Sequence, residues 1–174
     1  MSGPPYPDTA AVRRAVMQVN DPELSGVTIG SLGMVKSVVV ADDGTAHIVL
    51  VPTFLGCPAL AHIAHDVERA AISSGASAAV VVFDHQDPWS TDRIDSVART
   101  ALAGLGIAVS SATGTACPFC GSVSLDQISP VGPASCRSAH WCGSCRNVVE
   151  VFRDARAPLT SLPIPTRRMS YAHL

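Results

Sequence analysis

Lysine occurs once in the 174 residues, at Lys36, and every other base is arginine. With a formal net charge of −2, the chain lacks the strongly basic face on which nucleic-acid binding rests. Aromatic residues make up 5% of a chain that is 47% apolar, so its core has to be built from Ala, Val, Ile and Leu. Charged residues, at 15%, are too few for a disordered chain. No apolar run approaches the ~20 residues that a membrane-spanning helix needs. Met1 to Pro7 offers neither a charged n-region nor an apolar h-region, so a cytoplasmic location is expected. In that reducing setting the six cysteines read as metal or thiol chemistry rather than as disulfides.

The near-neutral total hides an asymmetry. Residues 1–105 carry 11 acids and 6 bases, and residues 106–174 carry 3 acids and 6 bases, for net charges of −5 and +3. The pattern also divides there. Asp8 can cap a helix carrying Val12, Val16 and Val19. Met34–Ala41 and Thr45–Val51 are β-rich runs around Asp42-Asp43-Gly44, a hairpin signal. Pro58 suits the first turn of a helix whose stripe is Leu60, Ile63, Ala64, Val67 and Ala71, stopped by Gly75. The continuous apolar run Ala78–Phe83 predicts a buried strand. Ser90 or Thr91 can cap a last helix turning Ile94, Val97, Ala98, Ala101 and Leu105 inward. The expected fold is therefore α+β: a small sandwich of order α-β-β-α-β-α over 8–105, a linker over 106–116, a β module over 117–153 and a flexible tail over 154–174. The two modules are expected to have separate cores.

The cysteines carry the chemistry. Cys117-Pro-Phe-Cys120 and Cys142-Gly-Ser-Cys145 are two CxxC knuckles 21 residues apart. Two such turns make a tetrahedral cage of four sulfurs, the geometry of structural zinc. Small residues after each pair are expected to let backbone amides face the sulfurs. Rubredoxin-like iron is the chemical alternative. A thiol-oxidoreductase reading of Cys-Pro-Phe-Cys needs a strand before and a helix after the motif, and Gly121-Ser122 with an extended VSLDQI follows instead. Cys136 lies between the knuckles as a spare ligand, a reactive thiol or a small buried residue.

Cys57, in Gly56-Cys57-Pro58, precedes a helix whose free amides and positive dipole end favour a thiolate. An accessible, unusually acidic thiol is one reading, and an inert cysteine at a helix start is the other. His62 and His65 share a helix face at i, i+3 and read as solvated. Asp21 and Glu23 are loop carboxylates that nothing in the sequence pairs with a base or nucleophile.

These pieces, in this order, resemble the PaaD-type phenylacetate-degradation family, a SufT-like iron–sulfur assembly domain followed by a zinc ribbon. The likeness lies in DPEL (21–24), SLGMV (31–35), VPTFLGCPAL (51–60), FDHQDPWSTDRI (83–94), CPFCGS (117–122) and SCRSAHWCGSC (135–145). The chain departs from the family's pattern at Ser31, Ser25-Gly26 and Gly132-Pro133-Ala134. The resemblance implies a non-catalytic accessory factor that matures the iron–sulfur or metal centre of the multicomponent phenylacetyl-CoA monooxygenase (epoxidase). Cys57 would then be the cluster or thiol site, with Thr53 and Asp21 lining it and Cys136 as an accessory thiol. Zinc would be held structurally by Cys117, Cys120, Cys142 and Cys145, with iron or an iron–sulfur cluster bound only transiently. Implied partners are the oxygenase subunits or their reductase, iron–sulfur assembly proteins, and a second protomer in a homodimer. Alternatives are a non-catalytic component of the oxygenase complex, an enzyme with Cys57 as nucleophile but no evident base, and a zinc ribbon that binds nucleic acid.

Overall fold

The computed structural model describes residues 8–111 and 114–154. The Asp8 carboxylate accepts from the Ala10 amide and starts α1 (Thr9–Met17), which buries Val12 and Val16. A loop closed by the Asn20–Thr28 bridge leads to β1 (Val35–Val40) and β2 (Thr45–Leu50), paired antiparallel. Their turn places Gly44 at φ 83°, a conformation that favours glycine. Helix α2 (Leu60–Ser73) lays Ile63, Val67 and Ala71 on the sheet. It returns the chain to β3 (Ala78–Phe83), parallel to β2, the usual consequence of a helical crossover. The order α-β-β-α-β-α then closes with α3 (Ser96–Gly104), so the α+β expectation holds.

Two local expectations do not. The run Ala78–Phe83 is an edge strand of the β1-β2-β3 sheet, and only one of its faces is covered. Val80 and Val82 stay 45% and 49% exposed, because the helices sit on the other side of the sheet. The last helix also starts later than predicted. Ser90 and Thr91 are buried and lead into a single 3₁₀ turn, Thr91–Arg93. Asp95 caps α3 instead, accepting from the Ala98 amide at 2.8 Å. The shifted start turns Ala98 and Leu102 inward and leaves Val97 and Leu105 exposed.

The segment expected to be a linker begins as a strand. β4 (Ile107–Val109) runs parallel to β7 (Val148–Phe152), which pairs antiparallel with β6 (Arg137–Cys142), and that with β5 (Leu125–Ser129). The second sheet thus has the order β4-β7-β6-β5. Of the expected tail, only Asp154 lies within the described residues.

Nor do the two modules have separate cores. Ile107, Ala134, Cys136 and Phe152 of the second join one apolar cluster with Trp89, Met34 and Leu50 of the first. Trp89 is the pin: 1% exposed, its indole N–H donates to the Leu32 carbonyl at 2.9 Å, and its ring lies 5.4 Å from that of Phe152. Trp89→Ala should therefore cost about 3–5 kcal/mol through the cavity it leaves and loosen both modules together. Chemical denaturation followed by backbone circular dichroism checks this, and a loss under about 1 kcal/mol, the size of an ordinary substitution, would contradict the shared core.

Candidate metal and thiol sites

The ligand atoms of Cys117, Cys120, Cys142 and Cys145 all lie within 4.8 Å of one another. Cys117 Sγ is 3.7 Å from Cys145 Sγ, and Cys120 Sγ is 3.7 Å from Cys142 Sγ. A tetrahedron with metal–sulfur bonds of about 2.3 Å has edges of about 3.8 Å, so the donor set fits one zinc. Local backbone builds it. After each knuckle the chain turns through a left-handed residue, Gly121 at φ 73° and Arg146 at φ 59°. The second of these is not small, so the turn there is held in place by its hydrogen bonds. Gly121 N–H donates to Cys117 O and Arg146 N–H to Cys142 O. The turns aim the Ser122 and Asn147 amides at the Cys120 and Cys145 sulfurs, and the Asn147 side-chain amide reaches Cys145 Sγ at 3.5 Å. Bound there, the metal would close the ribbon and supply folding energy.

The second site gathers residues from three segments. Cys57 ends the Pro52–Gly56 loop. Its amide donates to Phe54 O, and the sulfur faces the Ala59 and Leu60 amides at the start of α2. Asp21 accepts the Glu23 amide at 2.8 Å, which bends the loop after α1 so that both carboxylates bear on Cys57. Cys136, only 9% exposed, precedes β6 and feels the charges of Arg137, Cys57, Glu23 and Asp21. Beside it is a cavity of about 250 Å³ whose wall includes Thr53, Phe54, Trp89, Cys136 and Arg153.

The electrostatics overturn one expectation. Burial raises Cys57 above its ordinary value of 9.0, outweighing the Ala59 and Leu60 amides, and the Glu23 and Asp21 charges push it further up. It is not an acidic thiolate. Burial, only partly offset by Arg137, carries Cys136 up to about 11. Burial also raises Asp21, against the Glu23 amide that lowers it. In the metal-free protein, alkylation of Cys57 should therefore accelerate only above pH 9.0 and that of Cys136 only nearer pH 11. Mass-resolved alkylation rates against pH check this. A Cys57 midpoint below its ordinary value of 9.0 would contradict the acidic surroundings described.

The helix-face histidines stay outside both sites. His62 and His65 are exposed, and His62 pairs with Asp66 at 3.2 Å. The part played by Glu23 and the nearness of Cys136 to Cys57 are not legible in the sequence. The sole signal there is that both thiols fall in motif-like segments, since Cys57 and Cys136 are far apart in the chain.

Two stretches of the chain match family models of known proteins. Residues 9–82 match the family model of an iron–sulfur cluster assembly protein, and residues 107–153 match that of the PaaD zinc β-ribbon domain. A relative from Escherichia coli K12 is 30% identical over 155 residues, covering 84% of this chain and 93% of its own. Its name assigns it provisionally to 1,2-phenylacetyl-CoA epoxidase, as one of that enzyme's subunits. The Bacillus subtilis iron–sulfur protein maturation auxiliary factor YitW is 37% identical over 89 residues, 51% of this chain and 86% of that protein. A crystal structure of a domain of unknown function from Bacillus anthracis covers 54% of this chain and 90% of its own at 30% identity, with a TM-score of 0.49.

Proposed function

This chain belongs to the PaaD family, in which an iron–sulfur assembly domain is joined to a zinc ribbon, and on that premise we propose that it is a non-catalytic maturation factor for the metal centres of a phenylacetyl-CoA epoxidase. The observation that carries the reading is the placement of Cys57. It is a half-buried thiol at the start of α2, outside the closed four-sulfur cage and beside two carboxylates. A factor that passes iron on needs an exchangeable hold, and a lone thiolate leaves coordination positions free for a client's own ligands. The ribbon, with its metal enclosed, is a rigid recognition module. Its side of the chain carries the net positive charge, which favours docking on an acidic partner. The partners proposed are the oxygenase subunits or their reductase, together with iron–sulfur assembly proteins.

The name of the E. coli relative, which makes it part of the epoxidase, favours a second reading, a structural component needed during turnover. The two differ in timing. Oxygenase from a strain lacking this chain should be present but short of iron, and adding the purified chain to metal-replete oxygenase should leave turnover unchanged. A requirement for the chain in each turnover, with normal iron content in its absence, would establish the structural-component reading instead.

A further inference from the structure

We propose that the cavity at the junction of the modules binds a small aromatic carboxylate, with Arg153 as the residue that takes its charged end. The inference is independent of the maturation reading, because neither Cys57 nor the four-cysteine cage lines this space. The cavity holds about 250 Å³, below the ~300–1,000 Å³ of sites for drug-sized ligands. A dry apolar cavity of ~150 Å³ already admits benzene, so this one has room for one ring and a small polar group. Its apolar walls are Pro52, Phe54, Leu55, Pro88 and Trp89, which suit a flat hydrocarbon body better than a sugar or a phosphate. Leu55 is 61% exposed and Pro88 is exposed, so the space opens to solvent.

The polar end selects the charge of the ligand. The Arg153 amide donates to the Cys136 carbonyl at 3.1 Å, and both residues line the cavity. The Arg153 Nη2 donates to the Ser135 carbonyl, while Nε is buried with no acceptor. Among the described residues no carboxylate pairs with Arg153, although Asp84, Asp87 and Asp154 line the same cavity. Those acids are engaged elsewhere. Asp84 accepts from Lys36 at 2.6 Å, Asp87 from Arg93 at 2.8 Å, and Asp154 from the Thr91 hydroxyl at 3.4 Å. A buried N–H without a partner is unfavourable, and a carboxylate answers both the empty donor and the guanidinium charge. An amine would meet that guanidinium as a like charge, and a plain hydrocarbon would leave the N–H unbonded. The site needs both modules: Arg153 follows directly on β7, whereas the apolar walls come from loops beside the first sheet.

The test is titration of zinc-loaded, full-length Trp141→Phe protein with benzoate, followed by the fluorescence of Trp89, which is then the chain's single tryptophan. Emission should change saturably, at about millimolar benzoate or below for a ligand of this size. Benzamide, its uncharged isostere, should bind at least about tenfold more weakly. Arg153→Gln, confirmed folded by circular dichroism, should erase that preference. Leu55→Asp sets a negative charge at an exposed edge of the cavity, so it should weaken benzoate and spare benzamide. In the unsubstituted chain, benzoate should slow alkylation of Cys136, which lines the cavity, and leave that of Cys57 unchanged. Equal binding of benzamide and benzoate, or undiminished alkylation of Cys136 at saturating benzoate, would overturn the proposal whatever Arg153→Gln does. Protection of Cys136 that rises with protein concentration in the absence of benzoate would also overturn it, since a second copy would then fill the space.

Discussion

Replacing Cys57 by alanine should leave cells with an oxygenase that is present but short of iron and inactive. The reason lies in the division of roles. A maturation factor acts before turnover, so oxygenase already matured should remain active in the absence of this chain. The described residues hold none of the paired carboxylates and histidines of a di-iron centre, and the metal-grade cluster they do contain is the four-cysteine cage. Oxygen activation on this reading belongs to other chains. The substitution itself is mild, because Cys57 is only half-buried and at a helix start, so the fold should hold within about 1 kcal/mol. Iron content of the oxygenase, its activity, and partial recovery on chemical reconstitution are the measurements. Fully loaded, active oxygenase from the Cys57→Ala strain would overturn the role given to this thiol.

Removing the ribbon metal should have the largest effect on stability. Structural zinc contributes on the order of 10–16 kcal/mol to isolated zinc-finger peptides, and the ribbon's own buried cluster, Ala108, Cys117, Cys142, Val149 and Val151, is small. Replacing both Cys117 and Cys120 by serine should unfold it and release the bound zinc. The loss should reach residues 8–105, since Phe152 covers Trp89. Withdrawing an aromatic lid of that kind costs about 3–5 kcal/mol. Elemental analysis and thermal unfolding of the double variant check both parts. Full zinc retention would refute the ligand set, and an unchanged transition for residues 8–105 would refute the shared core.

Legibility in the sequence follows the range of the interaction. The α-β-β-α-β-α order, the Asp8 cap and the Gly44 hairpin rest on contacts within a few residues, and periodicity and turn chemistry reveal them directly. The paired knuckles are equally local, since each CxxC turn is built by its own backbone. β3 reads as fully buried because an apolar run states what a strand prefers but not how many neighbours the sheet supplies. The start of α3 is misplaced in the sequence reading because Ser90 and Thr91 suit a cap locally, whereas in the fold both are buried and Asp95 caps the helix.

The sequence by itself therefore settles the element order of the first module and the four metal-ligand candidates, both matters of spacing along the chain, while the family resemblance rests on its motif segments. Three further things emerge only in three dimensions. Trp89 and Phe152 join the modules into one core, β4 enters the ribbon sheet instead of linking to it, and the Asp21 and Glu23 charges reach both Cys57 and Cys136. Each depends on contacts between residues tens of positions apart, whose pairing is decided by how the two sheets pack. The thiol chemistry shows the consequence. The helix amides beside Cys57 suggest a lowered pKa, but burial and two carboxylates, one of them held by an Asx turn in a distant loop, raise it instead. A local dipole is readable from the sequence; the charges and burial that outweigh it come from packing.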